Sequence, residues 1–345
     1  MEYPPGALAV FLPPELFGTE HYNAAFKALM ALCGAATIVA VALLLVSFGA
    51  RRARLWVAIA LLAVSPVALG PISLNTYDAW PALLTVVALL TLPLVGFALL
   101  GLAFAAKVYP VVLLPPALAY VWRTAGQRAA MRSLAAFAGV AAAVIVPFLA
   151  LAPHGLAESF RAQAGRSLQV ESLGGSALAV ADRLGWYSAT VVHRTGHTIS
   201  YDLAGSLPRT LAVLSSVAQV AAVVLAVWLY WRGDDDVRRL TVACAAAIAG
   251  FLAFTRFFSP QYLVWLIPFV VLFSPLEWIL AAVALVLAQV WFFHYTDVFS
   301  LGGYVWLVAL RDVLVVALFV ALCLRAREHE DPVLLEDEAP VRVPS

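Results

Sequence analysis

Charge is what this chain has least of. Only 12% of its 345 residues are Asp, Glu, Lys or Arg, about half of the ~25% usual in a soluble domain. Too little charge is present to cover a water-facing surface, so a soluble fold is excluded as the main architecture. The formal net charge is +1, with no basic stripe or arm to neutralise a phosphate backbone, so nucleic acid is not an expected partner. Cysteine is scarce as well: Cys33, Cys244 and Cys323 lie far apart inside apolar runs. With no CxxC and no His/Cys cluster, they read as small packing residues, and no metal and no cofactor is expected. The segment Met1 to Gly6 has no basic stretch followed by an apolar core, so it is not a signal peptide. No internal repeat is evident, which counts against the duplicated folds of many transporters.

What is present is hydrophobic: 64% of residues, with a mean hydropathy of +0.95. Apolar runs fall near 25–48, 55–73, 79–93, 96–106, 109–122, 133–152, 208–231, 238–255, 261–274, 276–293 and 303–324. The longer ones match the ~20 residues a helix needs to cross a bilayer. The shorter ones are broken by Pro93, Pro110, Pro260 and Pro275. The expected fold is therefore all-α, a polytopic transmembrane helical bundle with about 10–11 crossings. One transmembrane domain should cover residues 1–324, with a single long external loop at 153–207. That loop, with its apolar patches and Gly174-Gly175, is expected to lie on the membrane as short helices. Residues 325–345 read as a disordered, acidic cytoplasmic tail.

Orientation follows from arginine. Arg51, Arg52 and Arg54, then Arg123, Arg128 and Arg132, then Arg232, Arg238 and Arg239, and finally Arg325 and Arg327 follow separate runs. Two crossings within 79–106 put all four clusters on one side, which the positive-inside tendency makes cytoplasmic in a multi-pass protein of the plasma membrane.

The opposite face then collects unusual chemistry. It carries Glu2 and Tyr3, Tyr77 and Asp78, Lys107 and Tyr109, the loop residues Arg161, Gln163, Arg166, Gln169 and Glu171, then Arg256, Gln261 and Tyr262, and last His294, Tyr295 and Asp297. Ionisable groups at membrane depth are costly and mark function more often than not. Lys107 reads either as a snorkelling helix-end lysine or as a fixed cation for an anionic head group. Arg256 reads the same way, and Arg166 is preferred to Arg161 because Gln169 and Glu171 follow it. Asp78 has a plain alternative as N-cap of a helix starting at Ala79. His294 reads as structural. Cations for phosphate, amides and carboxylates for hydroxyls, and aromatic faces for a ring together suit a lipid-linked sugar phosphate.

These residues carry a resemblance. Glu2-Tyr3-Pro4-Pro5-Gly6, Tyr77-Asp78-Ala79-Trp80-Pro81, Ala106-Lys107-Val108-Tyr109-Pro110, Arg166-Ser167-Leu168-Gln169-Val170-Glu171 and Ser259-Pro260-Gln261-Tyr262-Leu263-Val264-Trp265 resemble segments of bacterial GT-C glycosyltransferases of glycosyltransferase family 87, the DUF2029 group. The likeness covers most of residues 1–310. It implies a polyprenyl-phosphate-linked sugar donor, mannose in particular, a glycolipid or glycan acceptor, inverting transfer outside the membrane, and no nucleotide-sugar site. On a transferase reading, Lys107 with Arg166 and Arg256 would hold the donor phosphate, and Tyr3, Tyr109, Gln169, Gln261 and Tyr262 the substrate. The likeness also implies a first helix and an acidic general base ahead of the Glu-Tyr-Pro-Pro segment. Met1 falls just before that segment, so the expectation is a chain that lacks this helix and is poorly active or inactive. Within the chain, Glu2, Asp78 and Glu171 are the substitute carboxylates. A polytopic transporter or lipid flippase, or a polysaccharide ligase, is the alternative; a transporter would need polar groups at mid-membrane depth on several helices.

Overall fold

In lipid a backbone must satisfy its own hydrogen bonds, so each apolar run is expected to close into a helix. The computed structural model of the protein describes residues 3–155, 157, 166–194 and 200–327. After a 3-10 turn at Pro5–Ala7 come α1 (Leu8–Glu15), α2 (Tyr22–Ser47), α3 (Arg52–Leu69), α4 (Ile72–Asn75), α5 (Ala79–Leu90), α6 (Leu94–Ala106) and α7 (Leu114–Leu151). Then follow α8 (Leu173–Arg183), a β-hairpin of β1 (Thr190–Arg194) and β2 (Ser200–Ala204), α9 (Ser206–Trp231) and α10 (Val237–Ala253). A 3-10 turn at Pro260–Trp265 leads into α11 (Ile267–Val270), and α12 (Pro275–Phe293), α13 (Tyr295–Phe299) and α14 (Val305–Arg325) complete the described chain. Among the described residues, six stretches are long and apolar enough to cross a membrane: α2, α3, Tyr109–Leu151, α9, α12 and α14.

Two of these elements are hairpins. α7 is interrupted at Gly126, where φ is 83° and ψ 172°, a conformation open to glycine without steric cost. On one side of the break, Arg123 donates from Nη1 to the carbonyl of Trp231 at 2.9 Å and pairs with Asp235 at 2.6 Å. On the other side, the Phe137 ring packs back on Phe104 of α6 at 5.7 Å. The chain therefore reverses near the arginines. α5 and α6 form the other hairpin. Its tip residues Leu90 and Leu92 border the same cavity as Phe48, Tyr120 and Arg238, while Asp78 and Lys107 meet at its opposite end. With α2, α3, the two halves of Tyr109–Leu151, α9, α10, the 260–270 segment, α12 and α14, this makes eleven traverses of the bundle among the described residues.

The arginines gather where the spacing places them. Arg54 donates to the carbonyl of Val271 at 2.8 Å, Arg238 to that of Phe48, and Arg325 pairs with Glu277 at 2.8 Å. All four clusters thus share one end of the bundle, called here the basic end. The opposite end holds Asp78 and Lys107 and is called the polar end.

α10 is the central helix. Residues 243–249 are buried on every side, as expected of a helix apolar all round. Its small residues let neighbours close in: a Cβ on Gly250 would lie 2.6 Å from the Cβ of Ala222. The three cysteines are buried and unpaired.

The 153–207 stretch differs from expectation. Among its described residues, 153–155 and 157 are helical, α8 follows, and an antiparallel hairpin pairs Thr190 with Ala204 through Arg194 with Ser200. The reason is local: Thr190-Val191-Val192 and Tyr201-Asp202-Leu203 are β-formers, too short to stand out against so apolar a background. Gly174 and Gly175 open α8; a Cβ on Gly175 would meet the carbonyl oxygen of Gln169 at 1.9 Å.

The contact between α6 and the returning half of α7 generates a prediction. A Cβ on Gly101 would lie 2.4 Å from the carbonyl oxygen of Phe137, whereas nothing lies within 4 Å of one on Gly139. Gly101→Ala is expected to cost ~1–3 kcal/mol through overpacking, read as a lower melting temperature in detergent. Gly139→Ala should leave it essentially unchanged. Equal melting of both variants would show that the two helices do not pack as described.

Candidate active site

Asp78 follows the short helix α4 and enters α5, and it does not cap that helix with its side chain. The capping reading is thereby corrected. The carboxylate instead turns inward, where it is 1% exposed. Its Oδ1 accepts from Lys107 Nζ at 2.5 Å and from Trp265 Nε1 at 2.5 Å. Its Oδ2 is buried with no hydrogen-bond partner among the described residues.

Lys107 ends α6 in an extended conformation, which aims its side chain back across the polar end rather than out into lipid. Its ammonium lies 4.6 Å from the centroid of Tyr77, 5.2 Å from that of Tyr262 and 5.1 Å from that of Trp265, an aromatic cage of the kind that holds cations. Tyr109 stacks on Trp265 at 4.0 Å, and Trp265 on Tyr262 at 4.3 Å. Tyr3 meets Tyr77 edge-on at 5.0 Å. Residues from 3 to 265 thus converge on one spot, which no local pattern in the sequence displays.

Arg166 approaches from the loop. Residues 168–170 run alongside β2: Leu203 donates to the Leu168 carbonyl at 2.8 Å and Val170 to that of Tyr201 at 3.1 Å. Gln169 donates its backbone N–H to the Arg256 carbonyl at 2.9 Å, tying the loop to the segment that follows α10. Arg166 lies over the Phe257 ring at 4.7 Å and acts electrostatically on both Lys107 and Tyr262. A cavity of about 350 Å³ brings Arg166, Arg256 and Arg209 together. The expected cations are therefore brought to one end, Lys107 beside Asp78 and Arg256 beside Arg166. Gln261 is half-buried beside Tyr262. Glu2, Arg161 and Gln163 lie outside the described residues.

A second buried cluster was missed in the sequence. Arg311 and Asp312, 0% and 1% exposed, sit in α14 with the guanidinium 2.8 Å from the carboxylate. Arg311 donates from Nη2 to the Glu171 carbonyl at 2.6 Å, and Ser176 donates to Asp312 at 2.6 Å. The guanidinium also lies 4.0 Å from the centroid of Phe258. Two adjacent charges inside a 21-residue apolar helix were the available signal; Arg209, in the first turns of α9, was hidden as an ordinary helix-end charge. His294 stacks on Tyr304 at 3.9 Å, in keeping with a structural role.

Helices apolar enough to span a bilayer, with one polar end that gathers cations, carboxylates and aromatic faces, define a membrane-embedded protein with a candidate site at its surface. The sequence profile described as Glycosyltransferase family 87 matches residues 2–260, well over half of the chain. No curated protein and no solved structure matches it. The chain belongs to glycosyltransferase family 87 and is a membrane glycosyltransferase, with a sugar donor and an acceptor as its substrates.

Glu171 generates a pH prediction. Burial pushes its carboxyl up from 4.5 to about 7, against the lowering effect of its own backbone N–H and of Arg311. A raised carboxyl pKa means that the stabilisation tied to the protonated form is complete below about pH 4.5 and is lost as pH climbs through about 7. Glu171→Gln mimics the protonated form at all pH values. The melting temperature of the variant relative to the parent is expected to rise between pH 5 and pH 8. A difference that stays constant over that range would count against a buried, protonated Glu171.

Proposed function

We propose that the protein is a GT-C-type transferase that moves a hexose, mannose by its resemblance, from a polyprenyl-phosphate-linked donor to a glycolipid or glycan acceptor at the outer face of the plasma membrane. The observation that supports this most is the convergence of Lys107, Arg166 and Arg256 at the end of the bundle opposite the four arginine clusters. A bond to a lipid phosphate breaks with charge building on the leaving oxygens, and fixed cations there stabilise that charge. The aromatic faces of Tyr3, Tyr109 and Tyr262, with Gln169 and Gln261, supply stacking and hydrogen bonds for a sugar.

In this reading the acceptor hydroxyl attacks the anomeric carbon, the C–O bond to the lipid phosphate breaks, and its electron pair leaves with the phosphate. The hydroxyl proton passes to a carboxylate; Asp78, Glu171 and Asp202 are buried carboxylates at this end of the bundle. Lys107 balances the phosphate as it leaves, while Asp78 keeps Lys107 charged and aimed. Lys107→Ala, purified in normal yield, is expected to lose turnover from polyprenyl-phosphate-mannose by at least about 10²-fold, the scale for removal of one transition-state donor. Near-parental turnover would remove Lys107 from the site.

The placement at the outer face has its own test. With the arginine clusters in the cytoplasm, Leu184→Cys should react with an impermeant maleimide added to intact cells, and Arg128→Cys only after permeabilisation. The reverse pattern would turn the protein over and end the outer-face assignment.

A further inference from the structure

We propose that Arg311 is a positioning residue of the transferase site: from inside α14, with Asp312 holding its guanidinium, it fixes together the loop that carries Arg166 and the segment that carries Arg256. That the site transfers a sugar rests on the function proposed above; that Arg311 joins the two segments stands apart from it.

The guanidinium meets both segments directly. Its Nη2 donates to the carbonyl of Glu171 at 2.6 Å, in the same loop as Arg166. Its centre lies 4.0 Å from the centroid of Phe258, which follows Arg256 and Phe257 in the chain. Its Nε is 2.8 Å from Oδ1 of Asp312, and Oδ2 of Asp312 accepts from Ser176 at 2.6 Å, in the first turns of α8. Trp291 of α12 lies 5.7 Å from it. The two held segments also touch each other: Gln169 donates to the Arg256 carbonyl at 2.9 Å, and Arg166 lies over Phe257 at 4.7 Å. A shift of Arg311 is therefore passed to both cations through neighbouring residues.

Stability does not account for this pair. Arg311 and Asp312 are 0% and 1% exposed, in a helix apolar and long enough to span a bilayer. Desolvation of such a pair roughly offsets its attraction, and apolar residues of similar volume often serve stability as well. What a planar guanidinium supplies and an apolar side chain lacks is direction, with in-plane donors fixed on a carbonyl while its face rests on an aromatic ring. Cations stabilise charge developing on a leaving phosphate only where they are held in place. Residues 311 and 312 lie beyond the 2–260 stretch that the family profile matches, so membership of the family assigns them no part.

The test separates aim from stability. Arg311→Met combined with Asp312→Val removes both charges and leaves no uncompensated one in the helix. The purified double variant in detergent micelles is expected to melt close to the parent. Its turnover of polyprenyl-phosphate-mannose should nevertheless fall about tenfold or more, with the KM for that donor little changed, as for a loss felt in the transition state. Adding Arg166→Ala to the double variant should cost less than Arg166→Ala costs the parent, because residues that act as a unit are not additive. Hydrogen–deuterium exchange should quicken in residues 168–171 and 256–258 and stay parental in 232–239, at the basic end. Arg325→Gln, which breaks the pair with Glu277 in the same helix, should melt lower and keep parental turnover. Arg311→Lys keeps a charge beside Asp312 without the planar fork, and its turnover should fall between parent and double variant. Parental turnover and exchange in the folded double variant overturn the proposal, as does a turnover loss that Arg325→Gln shares. Should the double variant not fold, Arg311→Lys carries the comparison, and parental turnover there overturns it equally. A parent with no detectable transfer rejects the function proposed above, while quickened exchange in both segments keeps Arg311 as their joint.

Discussion

The carboxylate of Asp78 is where the polar end is joined. One oxygen accepts from the ammonium that ends α6 and from the indole of Trp265, so three elements remote in sequence meet on a single atom. A buried ion pair gains little over an apolar substitute, yet removing one partner leaves an uncompensated charge and costs several kcal/mol. Such a joint therefore acts as a constraint on arrangement more than as a source of stability. With Asp78 in place, α5, α6 and the 3-10 turn at Pro260–Trp265 have one common meeting point, and the ladder of Tyr109, Trp265 and Tyr262 is assembled around it. The shortness of α5 and α6 follows from the same arrangement. Their hairpin must return to the level of Asp78 to deliver Lys107.

The second joint lies one layer away. Arg311 and Asp312 project from α14 into the loop, one gripping the Glu171 carbonyl and the other the hydroxyl of Ser176. Ser172 caps α8 by accepting from Gly175, so the residues between the loop strand and that helix are held at both ends. The consequence reaches Arg166. Its segment is fastened to β2 by Leu168 and Val170 and to the Arg256 carbonyl through Gln169, while Glu171, next in line, is fastened to the bundle. A loop that carries a cation at a candidate site needs this kind of support, since a group displaced by an ångström loses much of its effect.

The membrane architecture was legible because its signals are long-range averages. Hydropathy marks helices of about 20 residues, and arginine marks one side; both survive errors of several residues. Even the α5–α6 hairpin could be read, since a single span over 79–106 would have put Arg123 at the wrong end. The hairpin of β1 and β2 was not legible, because five-residue strands carry little periodic signal next to long apolar helices. Of the candidate site, the individual residues Asp78, Lys107 and Arg166 were visible as charges in an uncharged chain, but their partners were not. That Asp78 serves Lys107 instead of its own helix depends on where α6 ends in space. Arg311 and Asp312 were overlooked for a different reason. Attention to helix ends passed over charges placed two turns inside α14, where only a buried partner such as Glu171 makes them tolerable.

The distribution of cations then bears on how a substrate meets the protein. Lys107 lies in an aromatic cage and is paired with Asp78, a setting that holds the cation rigidly. The cavity lined by Arg166, Arg209 and Arg256, with Asp202 among its described lining residues, meets α9 at Ala212 and Val213. Attraction over distance scales with net charge, whereas short-range stabilisation scales with geometry. Arg166 acts on Lys107 and also borders the cavity, so the loop that carries it has to be pinned as firmly as Arg311 and Gln169 pin it.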